Sequence, residues 1–155
     1  MKKYLLALLL AASALTLAAC GAKKPDMRTP VGEKQEYNYR NPDLGFSLML
    51  PSEFIYYQTQ RKQTPDFTDL EIFVPTSDTK YAQEVPGYAK PVVVRVFNKN
   101  SWLVSSESDK KIYQKIGEKG DKVYAIRFWD KVPSDWKNKW TAAMADQIKQ
   151  EFQID

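Results

Sequence analysis

Val92-Val93-Val94-Arg95-Val96-Phe97 decides how the rest of the chain is read. Four of these six residues are valine, whose branched Cβ suits a pleated, half-buried strand and crowds a helix. Upstream, Leu70, Ile72 and Val74 alternate with Glu71 and Phe73, the period-two pattern of a second strand. Both are expected at the centre of a sheet. Between them, Thr76 to Pro91 reads as one long connection carrying Tyr81, Pro86, Gly87 and Tyr88, and connections of that length usually carry function or are disordered. Downstream, Ile112 to Ile116 and Val123 to Trp129 flank Gly117-Glu118-Lys119-Gly120-Asp121 as a hairpin with a glycine-containing loop. Nearer the start, Tyr37 and Tyr39 alternate with Asn38 and Arg40, an Asn41-Pro42-Asp43 turn follows, and Phe46, Leu48 and Leu50 alternate up to Pro51. This is a second hairpin, and Ile55 to Arg61 reads as a further strand with one polar face.

Helical signals are fewer. Pro133 and Ser134 open a segment in which Trp136, Trp140, Ala143, Met144, Ile148 and Phe152 recur at helical spacing, with Asp135 at the positive end of the dipole. A stripe of that width must bury itself against the sheet. A shorter helix is read around Asn100 to Ser106, anchored by Trp102. The expected fold class is therefore α+β: an antiparallel β-sheet flanked by helices, with a C-terminal amphipathic helix docked on it, in a single domain over residues 37–155.

The ends of the chain carry a different message. Lys2 and Lys3 precede a thirteen-residue apolar run, Leu5 to Leu17, followed by Ala18, Ala19, Cys20 and Gly21. This is the layout of a secretory signal over residues 1–19. Thirteen residues are too short to span a bilayer, which takes about 20. Leu17-Ala18-Ala19-Cys20 also resembles the lipobox of bacterial lipoproteins. That resemblance implies cleavage between Ala19 and Cys20 and lipid attachment at Cys20, and long acyl chains anchor stably when two or more act together. The competing reading is an ordinary signal peptide followed by a chance cysteine. Residues 20–36 have no apolar periodicity, carry Pro25, Pro30 and Gly32, and read as a flexible tether.

The order of elements from Tyr37 onward supports a second resemblance. Tyr39, Asn41, the strand Leu44-Gly45-Phe46-Ser47-Leu48, Pro51 and then Phe54, at a position where tryptophan is commonest, resemble the opening motif of the PsbP-like fold, which bacterial lipoproteins of the DcrB type share. The resemblance implies an antiparallel sheet flanked by helices and a mostly non-catalytic, accessory role. It carries over no functional residue.

Composition narrows the chemistry. Among 155 residues there is no histidine, which excludes Ser-His-Asp and Cys-His nucleophile systems, histidine zinc ligands and histidine pH switches. The single cysteine excludes an intramolecular disulfide. Ser77 and Lys80 fit the Ser-x-x-Lys spacing of a histidine-free hydrolase, but so do Ser108 with Lys111 and Ser134 with Lys137, and the companion motifs are missing. Asp66, Asp69 and Glu71 are the densest acidic group and read as solvated loop and strand edge. No phosphate-binding glycine loop or calcium loop occurs. The chain is accordingly expected to be no enzyme and to need no cofactor or metal.

The formal charge of +4 falls when Lys2 and Lys3 leave with the signal. The basic excess between Lys99 and Lys139 is interspersed with Glu107, Asp109, Glu118 and Asp121, a pattern for a soluble surface or weak contact with anionic headgroups rather than for nucleic acid. Tyr81 and Tyr88 are the candidate contacts for a partner or ligand, because tyrosine offers a flat apolar face and a hydroxyl at low entropic cost. The expected partners are membrane lipid through acylated Cys20 and an envelope protein or glycan, with no nucleic acid. The expectation is a lipid-anchored, extracytoplasmic, non-catalytic binding or accessory module at the cell membrane or outer membrane. A small-ligand or glycan receptor is the alternative, and a histidine-free hydrolase a distant third.

Overall fold

The structure is a computed structural model that describes residues 30–31 and 36–155. Ala19 and Cys20, with the signal and lipobox readings that rest on them, lie outside the described residues. In chain order the elements are β1 (Pro30–Val31), β2 (Glu36–Asn41), β3 (Phe46–Leu50), a 3-10 turn (Ser52–Phe54), β4 (Gln58–Gln63), β5 (Phe67–Pro75) and β6 (Tyr88–Asn98). Then come α1 (Lys99–Val104), α2 (Glu107–Ile112), β7 (Gln114–Lys119), β8 (Lys122–Phe128), a second 3-10 turn (Ser134–Trp136), α3 (Ala142–Gln150) and β9 (Gln153–Ile154).

The α+β class holds, but the strands form two antiparallel sheets rather than one. The smaller has the order β1-β2-β3-β9 and the larger β4-β5-β6-β8-β7. β5 and β6 lie in the interior of the larger sheet, as their apolar alternation requires. One core joins the two sheets. Tyr39, Phe46, Leu48 and Leu50 of the small sheet bury against the residues on one face of the large one: Leu70, Ile72 and Val74 of β5, Val92, Val94 and Val96 of β6, Tyr124 and Ile126 of β8. Two sheets arise because the turn at Ser52–Phe54 and the exposed Ile55-Tyr56 carry the chain away from β3. Tyr56 sits there at φ 63°, a left-handed conformation rare for a bulky residue. The strand expected over Ile55 to Arg61 consequently begins only at Gln58.

The β2–β3 turn is held by Asn41, whose Oδ1 accepts the Leu44 amide at 3.1 Å and whose Nδ2 donates to the Tyr39 hydroxyl at 3.0 Å. Gly45 closes it at φ 79°. The Tyr124 hydroxyl, donating to the Leu44 carbonyl at 2.9 Å, joins this turn to the large sheet. Pro30 and Val31, in the segment read as tether, pair with Tyr37 and Glu36.

The single C-terminal helix expected from Pro133 to Phe152 is divided. Trp136 belongs to the second 3-10 turn, drawn into the core by edge-on packing against Phe54 and Trp129 and by its indole Nε1 donating to the Pro75 carbonyl at 2.8 Å. Thr141 then takes an extended backbone and its side chain accepts the Met144 amide, so it starts a new helix instead of continuing an old one. Helix α3 docks through Ile148, which is fully buried in the shared core. Phe152 leaves the helix and stacks on Phe46, ring centroids 5.1 Å apart, as the chain enters β9. Among the described residues no helix is long and apolar enough to cross a membrane.

Helix α1 matches the short helix read near Trp102. The serine run after it is a junction: the Ser106 side chain caps α2 by accepting the Asp109 amide at 3.1 Å. Ile112 therefore ends a helix, and the following strand starts at Gln114. The hairpin loop shrinks to Gly120-Asp121, because Gly117 to Lys119 are strand.

Candidate functional site

The second face of the large sheet carries Asp69, Glu71 and Phe73 on β5, Val93, Arg95 and Phe97 on β6, and Val123, Ala125 and Arg127 on β8. Its registers place Glu71 beside Val93 and Val93 beside Arg127. Trp102 and Tyr113 cover one end of this face, packing on Val93, Phe97, Val123 and Ala125. The other end is roofed by the connection from β5 to β6.

That connection is shorter than its sequence implied, because Tyr88 already belongs to β6 and only residues 76–87 lie outside strands. It is also well anchored. The Thr76 amide bonds the Gly87 carbonyl at 2.9 Å, with Gly87 at φ 77° permitting the return. Asp78 accepts the amides of Ser134 (2.7 Å) and Lys80 (2.9 Å), and the Ser134 amide above all holds its carboxyl below the usual range. Asp135 accepts the Thr76 hydroxyl (2.7 Å) and the Ser77 amide (2.9 Å). Burial works against its charge, but these bonds outweigh that and lower its pKa. Two carboxylates thus fasten the loop to the 3-10 turn at Ser134–Trp136.

A third anchor is Glu84, which bonds both Lys62 and Lys90. Those two bonds, Lys62 first, hold its pKa at about 2. Lys90 Nζ also donates to Glu71 Oε1 at 2.7 Å. Lys62 Nζ lies 3.0 Å from Glu71 Oε2, but out of hydrogen-bonding alignment, so that buried oxygen is served by charge alone. Lys62 of β4, Glu71 of β5 and Lys90 of β6, with Glu84 of the loop, therefore alternate in charge across three neighbouring strands beneath the loop.

Beside this cluster lies a cleft of about 350 Å³, walled by Phe73 from β5, Tyr81 from the loop, Tyr88 and Lys90 from β6, and Arg127 and Trp129 from the end of β8. The structure brings Tyr81 and Tyr88, the two residues singled out from sequence, to the same cavity. The Tyr88 hydroxyl accepts from Gln58 Nε2 at 2.7 Å. Partial burial raises the pKa of Tyr81, keeping its hydroxyl protonated. Among the described residues, Phe73, Tyr81 and Tyr88 have no ring–ring contact, whereas Trp102, Trp129, Trp136 and Trp140 all have one. The Trp129 indole Nε1 is buried and lacks a hydrogen-bond partner among the described residues.

Other sequence candidates are used differently. The Ser77 hydroxyl donates to Asp135 at 3.2 Å, and Ser108 Oγ lies 2.8 Å from Ser106 Oγ. Among the described residues none of Lys80, Lys111 and Lys137 bonds its Ser-x-x-Lys serine. Asp66 is exposed, but Asp69 and Glu71 are buried, which corrects their reading as solvated carboxylates. Asp69 makes two bonds of 2.7 Å to Arg95, whose guanidinium lies 3.5 Å from the Phe67 ring centroid and 4.0 Å from that of Tyr113. Sequence reasoning missed Lys90, Arg95 and Arg127. Their signal was a cation interrupting an apolar strand, which forces one face of that strand to be polar or paired.

Chemically, the cleft offers flat apolar faces, hydroxyls and positive charge. Among the described residues no group of three or more His, Cys, Asp or Glu side chains is placed to hold a metal ion. Comparison with protein-family profiles, with curated sequences and with solved structures finds no match to this chain.

Proposed function

We propose that this chain is a lipid-anchored, extracytoplasmic and non-catalytic binding module of the bacterial envelope, with the cleft beneath the 76–87 loop as its binding site. The supporting observation is the convergence of Tyr81 and Tyr88, half-buried rings without a ring–ring contact among the described residues, on one concavity that the buried Phe73 also lines. At about 350 Å³ it falls in the range of small-ligand sites, which favours a receptor for a small molecule or glycan unit over a flat protein-docking face. The anchor reading rests on Cys20 and its lipobox context. The finer fold assignment, a PsbP-like domain, rests on Tyr39, Asn41 and Gly45, which build the first turn, and on Phe54, which packs edge-on against Trp136.

Two variants test this reading. Cys20→Ser is expected to move the protein from the membrane fraction to the soluble one and to abolish lipid labelling; unchanged labelling refutes the anchor. Tyr81→Ala with Tyr88→Ala is expected to leave a cooperative unfolding transition, displaced by about 1 kcal/mol per substitution, while abolishing ligand or partner capture in the envelope. Undiminished capture removes the cleft from the function.

A further inference from the structure

Resting on the cleft reading, we infer that the ligand is a ring-bearing carboxylate, such as a uronic acid unit of a glycan or an aromatic acid. The charge lining the cleft comes from Lys80, Lys90, Arg127 and Lys131 against Glu84 and Asp130, an excess of cations. Their partners sharpen the point. Lys90 is already shared by Glu71 and Glu84. Among the described residues, Lys80, Arg127 and Lys131 have no carboxylate partner, although ion pairs engage most other cations of the domain.

Arg127 is the informative member, because it is half-buried rather than waving in solvent. Its guanidinium lies 5.2 Å from the Tyr113 ring centroid, a weak contact that leaves its five donors to be satisfied elsewhere. A planar guanidinium suits a carboxylate, which it binds with two parallel hydrogen bonds. The contrast with Arg95 is direct. Two residues earlier on the outward face of the neighbouring strand register, Arg95 has this arrangement satisfied internally by Asp69. Arg127 has the same chemistry and a cavity in place of the aspartate.

The ring requirement follows from the walls. The half-buried rings of Tyr81 and Tyr88 can stack equally on the apolar face of a sugar or on an aromatic ring, against a wall to which the buried Phe73 adds apolar surface. A volume near the lower end for ligand sites fits one or two rings rather than a lipid tail.

The test titrates the full-length lipidated protein in neutral detergent with D-glucuronate, benzoate, D-glucose, benzamide and inorganic phosphate, reading intrinsic tryptophan fluorescence, to which Trp129 of the wall contributes. The proposal expects saturable binding of glucuronate or benzoate with dissociation constants of about 1 mM or tighter, weakening as salt is raised, and at least tenfold weaker binding of the neutral partner. Preference for glucuronate identifies a glycan source and preference for benzoate an aromatic acid; either supports the class. Arg127→Gln is expected to lose the preferred anion, whereas Lys111→Gln, a substitution on α2, keeps it. Equal binding of acid and neutral partner, or no effect of Arg127→Gln, overturns the anion requirement while leaving the cleft as a binding site. Phosphate binding as well as the ring acids overturns the ring requirement. Absence of binding by all five overturns the proposal, and capture by the Tyr81/Tyr88 double variant then decides the cleft reading separately.

Discussion

Replacing Asp69 by alanine removes one half of the buried ion pair on the outward face of the large sheet. The Asp69 and Arg95 side chains are 8% and 13% exposed, so neither charge is well hydrated. Without the carboxylate, the guanidinium keeps the rings of Phe67 and Tyr113, the Phe97 ring at 5.7 Å and the more distant field of Asp109. Breaking a buried pair in this way costs about 3–5 kcal/mol, and the ring faces, worth about 0.5–2 kcal/mol when desolvated, place the expected loss near the lower figure. About 3 kcal/mol lowers the melting temperature of a domain this size by roughly 12 °C. The double variant Asp69→Leu with Arg95→Met is expected to recover all of that loss, because burying two charges cancels most of what their attraction gains. Urea denaturation followed by tryptophan fluorescence, on wild type, Asp69→Ala, and the cycle Asp69→Leu, Arg95→Met and their double, measures the loss and the coupling. A loss below about 1 kcal/mol for Asp69→Ala, or a double variant as unstable as the single, refutes the reasoning by showing that water reaches the pair.

Two further outcomes follow from the loop and the first turn. Glu84→Gln removes two ion pairs from a side chain that is 44% exposed, so solvent screening limits the cost to about 0.2–1 kcal/mol per pair at neutral pH. Because the folded state lowers the Glu84 pKa to about 2, its contribution is complete above the ordinary carboxylate range and is lost as pH falls toward 2; denaturation midpoints of wild type and variant should converge on acidification, and a constant gap contradicts this. Gly45→Ala places a Cβ 3.3 Å from the Tyr124 hydroxyl oxygen at φ +79°, whereas Gly120→Ala, at φ +60°, meets nothing within 4 Å. Thermal unfolding should show a cost of about 1–2 kcal/mol for backbone strain at both, with Gly45 the larger; equal losses indicate that the hydroxyl moves aside freely.

The strands were legible because burial on one face leaves a period of two in the sequence. Leu70/Ile72/Val74 and Val92/Val94/Val96 face the core as their alternation requires. The C-terminal stripe misled because Trp136, Trp140, Met144 and Ile148 keep helical spacing, while what interrupts the helix is a capping threonine and a hydrogen bond to Pro75, 61 residues away in sequence. Periodicity reports which side chains are buried, not whether one uninterrupted element buries them. For the same reason the division into two sheets was hidden, since it depends on where the chain bends at Ile55-Tyr56. At the cleft, the loop tyrosines stood out by composition, but the partner that gives Asp69 its character lies 26 residues along, and the cations of the wall are recognisable only once register places Arg127 beside Val93.

β9 extends the small sheet with only two residues, yet it pairs with Phe46 and Ser47, its Ile154 lies over Gly117, and the Asp155 amide reaches the Gly45 carbonyl. During synthesis, β3 therefore waits with one open edge until more than a hundred later residues have emerged. An incomplete chain presents that unpaired edge to its neighbours, the geometry from which intermolecular strand pairing starts.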